Sequence, residues 1–296
     1  MAARQRVWMD GKMVDYDKAT VHVMTHGLHY GGGVFEGIRL YETAKGRAIF
    51  RLRDHMIRFQ NSAKIIHLNI PYDLDELCEA VMETCQANAG VNVDYIRPLA
   101  YYGTGAYGLN PVKLPTRVAI AVVYMGAYLG EEQMKIGARL ITSSWEKYNN
   151  RAAALNAKVC GNYVNSVMAR LEAVHRGADE ALMLNSEGNV AEGTGENVFM
   201  VRSGRLFTTP VSAGILEGIT RDSVMKIAED NGMPVIEKDI TRSELYVADE
   251  VFMTGTAAEV QPIHSIDEHV IGRGRPGLVT TKLQKLFADA ARGKSL

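Results

Sequence analysis

Cysteine is scarce: Cys78, Cys85 and Cys160 are the three in 296 residues. They make neither a metal-ligand spacing nor an even disulfide framework, and Cys78 and Cys85 fall on one expected helix, where buried thiols are common. Few cysteines and a start, MAARQRVWMDGK, without an apolar core predict a reducing cytoplasm rather than secretion. Long hydrophobic runs are also missing; none approaches the roughly 18–20 residues of a membrane span, so no membrane partner is expected. Charge of one sign is missing too. Lys and Arg number 33 against 34 Asp and Glu, a net charge of −1, which offers no basic face to nucleic acid.

Several catalytic signatures are absent as well. Without a GxSxG, a serine nucleophile elbow is excluded. Gly31, Gly32 and Gly33 lack both a Gly-Lys-Ser/Thr and a strand-GxGxxG-helix context, which points to a tight backbone path rather than a phosphate loop. His22, His26 and His29 crowd together in HVMTHGLH, yet no acidic or cysteine ligand flanks them and glycines break the segment. No metal site is expected.

What remains is an ordinary globular balance, 47% hydrophobic and 23% charged, with apolar material for two cores. Asp10-Gly11 predicts a hairpin turn between Val7–Met9 and Met13–Val14. A second hairpin is expected to join Val34–Tyr41 to Ala48–Leu52 across Ala44-Lys45-Gly46. Helical periodicity covers Arg53–Ile66 and Asp73–Ala89, the latter capped by Asp73 with Glu76 and stopped at Gly90. Strands follow at Tyr95–Tyr102 and Arg117–Met125. Glycines and acids in Gly126–Gly137 read as a connection between domains. Beyond it, strands are expected at Ala138–Ser143, Glu180–Leu184 and Glu250–Met253, and a hairpin at Glu196–Val201 with Arg205–Thr208. Helices are expected over Tyr163–His175, Arg221–Asn231 capped by Thr220, and Val279–Ala291. The elements lack regular βαβ alternation, which favours an α+β protein: residues 1–125 a small domain, 126–137 a connecting loop, 138–296 a larger domain.

The segment NAKVCGNYVNS carries the chemistry. Lys158 stands between Ala157 and Val159 with no carboxylate within ten residues. Desolvation lowers the basicity of a buried amine and makes it nucleophilic toward an aldehyde, although many such lysines only thread their head to water. Tyr163 lies where it could bond a phenolate oxygen beside an imine. Glu192, in EGNVAEGTGENVF, is a carboxylate of the kind that keeps a pyridine nitrogen protonated. Gly218-Ile219-Thr220 precedes a helix, so N–H groups and the helix dipole converge there as for a phosphate. Thr254-Gly255-Thr256-Ala257-Ala258 adds hydroxyls and backbone donors, and Arg58 a charge-assisted contact.

At these residues the sequence resembles the fold-type IV pyridoxal-phosphate enzymes, and among them the branched-chain aminotransferases. The likeness runs from VHVMTHGLHYGGGVFEGIR to GTAAEVQPI, with EGTGENVF, GITRD and ADEVFMTGTAAE in order after the lysine segment. The resemblance implies a fold like that of D-amino-acid aminotransferase, with a small N-terminal α/β domain and a larger C-terminal domain of mixed β core. It implies pyridoxal 5'-phosphate in Schiff-base linkage to Lys158, which also moves the proton. Tyr163 would contact the ring oxygen, Glu192 the ring nitrogen with Asn197 behind it, and Leu216 the ring face. Arg58, Gly218, Ile219, Thr220 and Thr256 would hold the phosphate. Tyr30, Phe35, Gly37 and Tyr128 would wall the substrate pocket. Tyr95, Thr256 and Ala257 would bind the α-carboxylate, Arg97 the distal carboxylate of glutamate, and Leu109 would reach a partner's pocket in a homo-oligomer built on a dimer. The implied reaction takes leucine, isoleucine or valine with 2-oxoglutarate to branched-chain 2-oxo acids and glutamate.

D-amino-acid aminotransferase, (R)-amine transaminase and aminodeoxychorismate lyase share the fold. The Tyr95/Arg97 pair and GAYLG at Gly126–Gly130 favour the branched-chain L-specific reading, while Thr104-Gly105-Ala106-Tyr107 departs from its pocket loop. A structural role for Arg97, paired with a nearby acid, is the plainer alternative. A ligand-binding protein that kept the fold without the chemistry is a further one, against which Lys158, Tyr163 and Glu192 stand intact.

Overall fold

In the computed structural model, residues 5–44 and 46–293 are described; Lys45 of the expected second hairpin turn lies outside them. By its contacts the chain forms two units, Met1–Gly126 with Ala157–Tyr163, and Ala127–Asn156 with Val164–Leu296. The expected domains are each contiguous, whereas the lysine segment returns to the first unit after thirty residues in the second.

In the first unit, β1 (Arg6–Met9) and β2 (Lys12–Asp15) form the predicted hairpin, with Asp10 and Gly11 at positive φ in the turn. α1 (His26–Tyr30) is a short helix, followed by β3 (Gly33–Phe35), β4 (Ile38–Thr43) and β5 (Gly46–Ile49). The single strand expected over Val34–Tyr41 is thus two, broken at Glu36-Gly37. α2 (Leu52–Ile65) and α3 (Leu74–Ala87) come next, then β6 (Tyr95–Tyr102) and β7 (Thr116–Val123). Asp73 caps α3 through a complete capping box with Glu76, although the helix closes at Asn88 rather than Gly90. The sheet order is β2-β1-β7-β6-β4-β5, with β3 also on β6. Along β7, Val118, Ile120 and Val122 alternate inward, as one buried face of a strand demands. Met56, Phe59 and Ala63 of α2 are buried at helical spacing.

In the second unit, α4 (Glu131–Ile136) occupies half of the expected connecting loop. β8 (Ala138–Thr142), α5 (Tyr163–His175) and β9 (Glu180–Leu184) make a parallel crossover, although its intervening chain passes through the lysine segment. β10 (Val190–Gly193), β11 (Asn197–Arg202) and β12 (Arg205–Thr208) follow, then α6 (Ile219–Asp230) and β13 (Val235–Glu237), which lies parallel to β12. α7 (Arg242–Tyr246), β14 (Glu250–Gly255), β15 (Glu259–Ile266), β16 (His269–Val270) and α8 (Leu278–Ala291) complete it. The order is β10-β9-β8-β15-β14-β11-β12-β13, with β16 on β15. Parallel and antiparallel pairs mix, as expected for this domain. Phe199 and Phe252 stack face to face at 4.9 Å in its core.

Among the described residues no helix is long and apolar enough to cross a membrane. The three cysteines are free.

Candidate active site

The line His55, Arg58, Ser62 runs along one side of α2 at spacings of three and four, so a single helix face delivers three polar groups. Ser62, buried, accepts the Lys158 backbone N–H at 3.0 Å, and Phe35 N–H donates to the Lys158 carbonyl at 3.1 Å. The glycines explain why the segment approaches so closely. Gly31 sits at φ +67, and a Cβ there would meet Gly161 Cα at 2.7 Å; its carbonyl accepts from Gly161 N–H at 3.1 Å. Val34 and Val159 form a bridge beside it. The triple glycine is therefore a docking edge for the lysine segment, in keeping with the tight backbone path expected of it.

Lys158 is held at its head as well. Nζ donates to Tyr163 Oη at 2.7 Å and stands 4.8 Å from the Phe35 ring centroid. Burial, then the Arg58 charge, pushes its amine down to about 8 from an ordinary 10.5, while Glu36 and Tyr95 partly oppose the shift. Arg97 crosses the same ring: its guanidinium carbon lies 4.8 Å from the Phe35 centroid and 5.4 Å from that of Tyr95. Arg97 Nε is buried without a hydrogen-bond partner, and no salt bridge joins Arg97 to an acid among the described residues. The expectation of a nearby acid as its structural partner is not met. Gly37 lets the Tyr95 phenol come where a Cβ would otherwise stand.

Arg58, expected on a phosphate, is gripped by Glu36: Nε donates to Oε1 at 2.6 Å and Nη2 to Oε2 at 2.9 Å. His55 Nδ1 adds a contact to Oε2 at 2.8 Å. Glu36 is wholly buried. Burial alone would raise its carboxyl, but Arg58 and His55 outweigh that and hold it far below the usual carboxylate range. Tyr30 is half exposed against the His26 ring, and Leu109 is exposed on the loop after β6. His22, His26 and His29 are each engaged with backbone instead of with one another, at Met24 N–H, Gly108 O and Val23 O.

The second unit assembles a different set. Glu192, buried on β10, accepts at Oε2 from Asn197 Nδ2 at 3.2 Å and Leu216 N–H at 3.1 Å, and Lys147 Nζ lies 2.7 Å from its Oε1. Asn197 also donates to the Leu216 carbonyl at 2.9 Å. Gly218 is required beside it, because Asn197 Oδ1 stands where a Cβ would go. α6 starts at Ile219 with Gly218 in extended conformation and no side-chain cap. The expected Thr220 cap is thereby corrected: Thr220 is buried inside the first turn, because helical geometry sets in two residues earlier than the polar pattern suggests. Thr256 and Ala257 form the turn between β14 and β15, and Tyr128 is partly exposed just before α4.

Residues 33–266 match the family model for amino-transferase class IV. The chain belongs to the class IV aminotransferases. A curated member of that class, the branched-chain-amino-acid aminotransferase of Pseudomonas aeruginosa, is 47% identical over 98% of this chain and 94% of its own length. Among solved class IV structures, that of the Escherichia coli branched-chain amino acid aminotransferase superposes with a TM-score of 0.96 at 42% identity, covering 99% of this chain and 96% of its own. The T.th. branched-chain amino acid aminotransferase complexed with N-(5'-phosphopyridoxyl)-L-glutamate gives 0.92 at 47%, covering 100% of this chain and 96% of its own.

Several groups of this class IV chain escaped the sequence reading. Glu36 was visible as an acid inside the apolar run GGVFEGI. His55 and Ser62 carried a signal only in their spacing from Arg58, and Lys147 carried none. Glu196, next to Asn197, is another: burial first, then the Glu180 carboxylate, pushes its carboxyl up to about 8. A raised folded value means the fold binds the proton more tightly than the unfolded chain, so stability is lost as pH rises from about 4.5 through about 8. Glu196→Gln, isosteric and neutral, should therefore raise the melting temperature by roughly 3 °C at pH 9 and change it little at pH 5. Equal shifts at both pH values in a calorimetric scan would contradict a protonated Glu196.

Proposed function

We propose that the chain transfers the amino group of leucine, isoleucine or valine to 2-oxoglutarate, with pyridoxal 5'-phosphate carried on Lys158. The observation that carries this reading is the pair Lys158 and Arg97 on one Phe35 ring: a nucleophilic amine beside a recessed cation that has no acid of its own. A branched aliphatic chain can lie against the Phe35 and Tyr95 rings, while glutamate's distal carboxylate can meet Arg97, so one pocket serves two unlike substrates. The names of the relatives and the phosphopyridoxyl-glutamate complex support the same pair of substrates.

The donor set fits the cofactor. In the first unit it comprises an amine of lowered basicity, a phenol at that amine and a guanidinium. In the second it comprises a buried carboxylate held by two N–H donors and the Lys147 ammonium, and a helix start without a side-chain cap. Bound pyridoxal phosphate supplies an aldehyde for the amino group and a protonated ring that takes up the electrons of the Cα–H bond. Lys158 takes the proton from Cα and returns it at C4′, and Tyr163 aims its amine. Glu192 keeps the ring nitrogen protonated, oriented by Asn197 and Leu216 N–H. Arg58, Gly218, Ile219, Thr220 and Thr256 hold the phosphate. Tyr95 with Thr256 and Ala257 takes the α-carboxylate, and Phe35, Gly37, Tyr30 and Tyr128 wall the pocket. Leu109, 79% exposed, together with exposed Tyr107 and Val112, suits a loop that covers a partner subunit's pocket, so the unit of function is a homodimer or a multiple of it. Three free cysteines suit a cytoplasmic home.

Leucine and (R)-1-phenylethylamine, each assayed with 2-oxoglutarate, separate this reading from the amine-transaminase one. Leucine is expected to have the higher kcat/KM by about 100-fold or more, since the site would be matched to its carboxylate. A faster reaction with the amine would sink the branched-chain assignment.

A further inference from the structure

Transamination leaves Lys147 unused, yet the second unit fixes this residue firmly. Its stretch of backbone is fastened at three points. The Lys147 N–H donates to the Leu184 carbonyl of β9 at 2.8 Å, and the buried Asn165 side chain of α5 donates to the Glu146 carbonyl at 2.9 Å and accepts the Tyr148 N–H at 3.4 Å. β9 pairs with β10, the strand that carries Glu192. From this anchorage the side chain, 12% exposed, brings Nζ within 2.7 Å of Glu192 Oε1. The other oxygen, Oε2, already accepts from Asn197 Nδ2 and Leu216 N–H. Exposed ion pairs are screened by water, whereas a pair this enclosed acts on its surroundings with little screening. A second cation at Glu192 therefore meets a carboxylate whose charge is already partly balanced.

We propose that Lys147 is a positioning residue for the cofactor's ring nitrogen, acting through Glu192: its ammonium limits how tightly that carboxylate can hold a proton on the ring. This rests on the reading of Glu192 as the partner of the ring nitrogen. The effect needs only the proximity of the charges, not a particular direction of approach. Removing the ammonium tightens the ring's hold on its proton, whereas a purely structural ion pair would leave that hold as it is. Glu196, on the turn between β10 and β11, is a further charged neighbour of Glu192. Its carboxyl is pushed up to about 8 by burial and then by Glu180, so it titrates over the same range. Glu180 and Arg170, paired with each other at 2.7 Å, act on Glu196 in turn.

The test is the pH at which the ring nitrogen loses its proton, read from the nitrogen-15 chemical shift of ring-labelled pyridoxal 5'-phosphate bound to the full-length chain. Wild type is expected to reach its midpoint below about pH 10. Lys147→Met and Lys147→Gln should raise the midpoint by about one unit or more, a roughly tenfold tighter hold on the proton. Lys147→Gln carries the test alone if the Met variant does not fold. Lys147→Arg keeps the charge and should leave the midpoint within about 0.3 of a unit. The same pattern is expected with Glu196→Gln in every chain, which removes that titration from the comparison. A midpoint that fails to rise by about one unit in Lys147→Met or Lys147→Gln, in either background, overturns the proposal. So does an equal rise in Lys147→Arg, or a wild-type ring that keeps its proton beyond about pH 10. Glu192→Gln separates the two readings. A ring nitrogen that stays protonated there as in wild type removes Glu192 from the ring, and the proposal falls with it. A ring that loses its proton in Glu192→Gln but is indifferent to Lys147→Met and Lys147→Gln removes Lys147 alone.

Discussion

Lys158→Ala is expected to lower kcat/KM for leucine by about 10⁴-fold or more, since under the proposed function it would remove both the point of attachment and the group that moves the proton. The absorbance band of the coloured protein should vanish on dialysis. Added ethylamine should restore part of the activity, because a small amine can fill the space that Nζ leaves beside Tyr163 Oη; a variant inactive through misfolding gains nothing from it. A variant that kept more than about a tenth of wild-type activity would remove Lys158 from the chemistry. The pH dependence follows from burial. With the amine pushed down to about 8, the fraction able to attack an aldehyde rises with pH and levels off above that value. The same shift costs the ligand-free fold stability. The unfolded chain holds this proton up to about 10.5 and the folded chain only to about 8, so the penalty is full below pH 8 and fades as pH rises toward 10.5.

Arg97→Leu should divide the two half-reactions. With 2-oxoglutarate or glutamate, the single-turnover rate constant over Kd is expected to fall about 10³-fold, the scale of losing a charged contact to a carboxylate in a desolvated pocket. With leucine the change should stay within about threefold. The contrast arises because Arg97 stacks on Phe35 and Tyr95 without an acid to neutralise it, so its removal leaves no orphaned carboxylate in the protein. Equal losses with both substrates would show that Arg97 shapes the pocket and does not select the acidic substrate.

Which parts of this were legible in the sequence follows from how local each signal is. The strand Tyr95–Tyr102 and the helix Tyr163–His175 fall where periodicity places them, and the Asp73/Glu76 box closes as its spacing predicts. β15 (Glu259–Ile266) was not foreseen: EVQPIHSI mixes proline, histidine and glutamine into a strand whose burial comes from neighbours on both sides, β14 and β8. At the site, Lys158 and Tyr163 could be linked because they lie five residues apart. Glu36 and Arg58 are 22 apart, and their ion pair depends on a strand break and a helix phase that no window of sequence contains. Lys147 and Glu192, far apart in the chain, meet by the same kind of tertiary accident of address.

The return of Ala157–Tyr163 to the first unit has a consequence for synthesis. A nascent chain that has released residue 126 holds all but seven residues of that unit, yet Ser62 and the Phe35 N–H still lack the backbone they bind. Thirty more residues, all belonging to the other unit, must emerge first. At ~5–20 residues per second that is a delay of a few seconds, during which the Gly31–Phe35 edge stands uncovered on the ribosome. Chaperone contact with the nascent chain should therefore cluster between the appearance of residue 126 and that of residue 163.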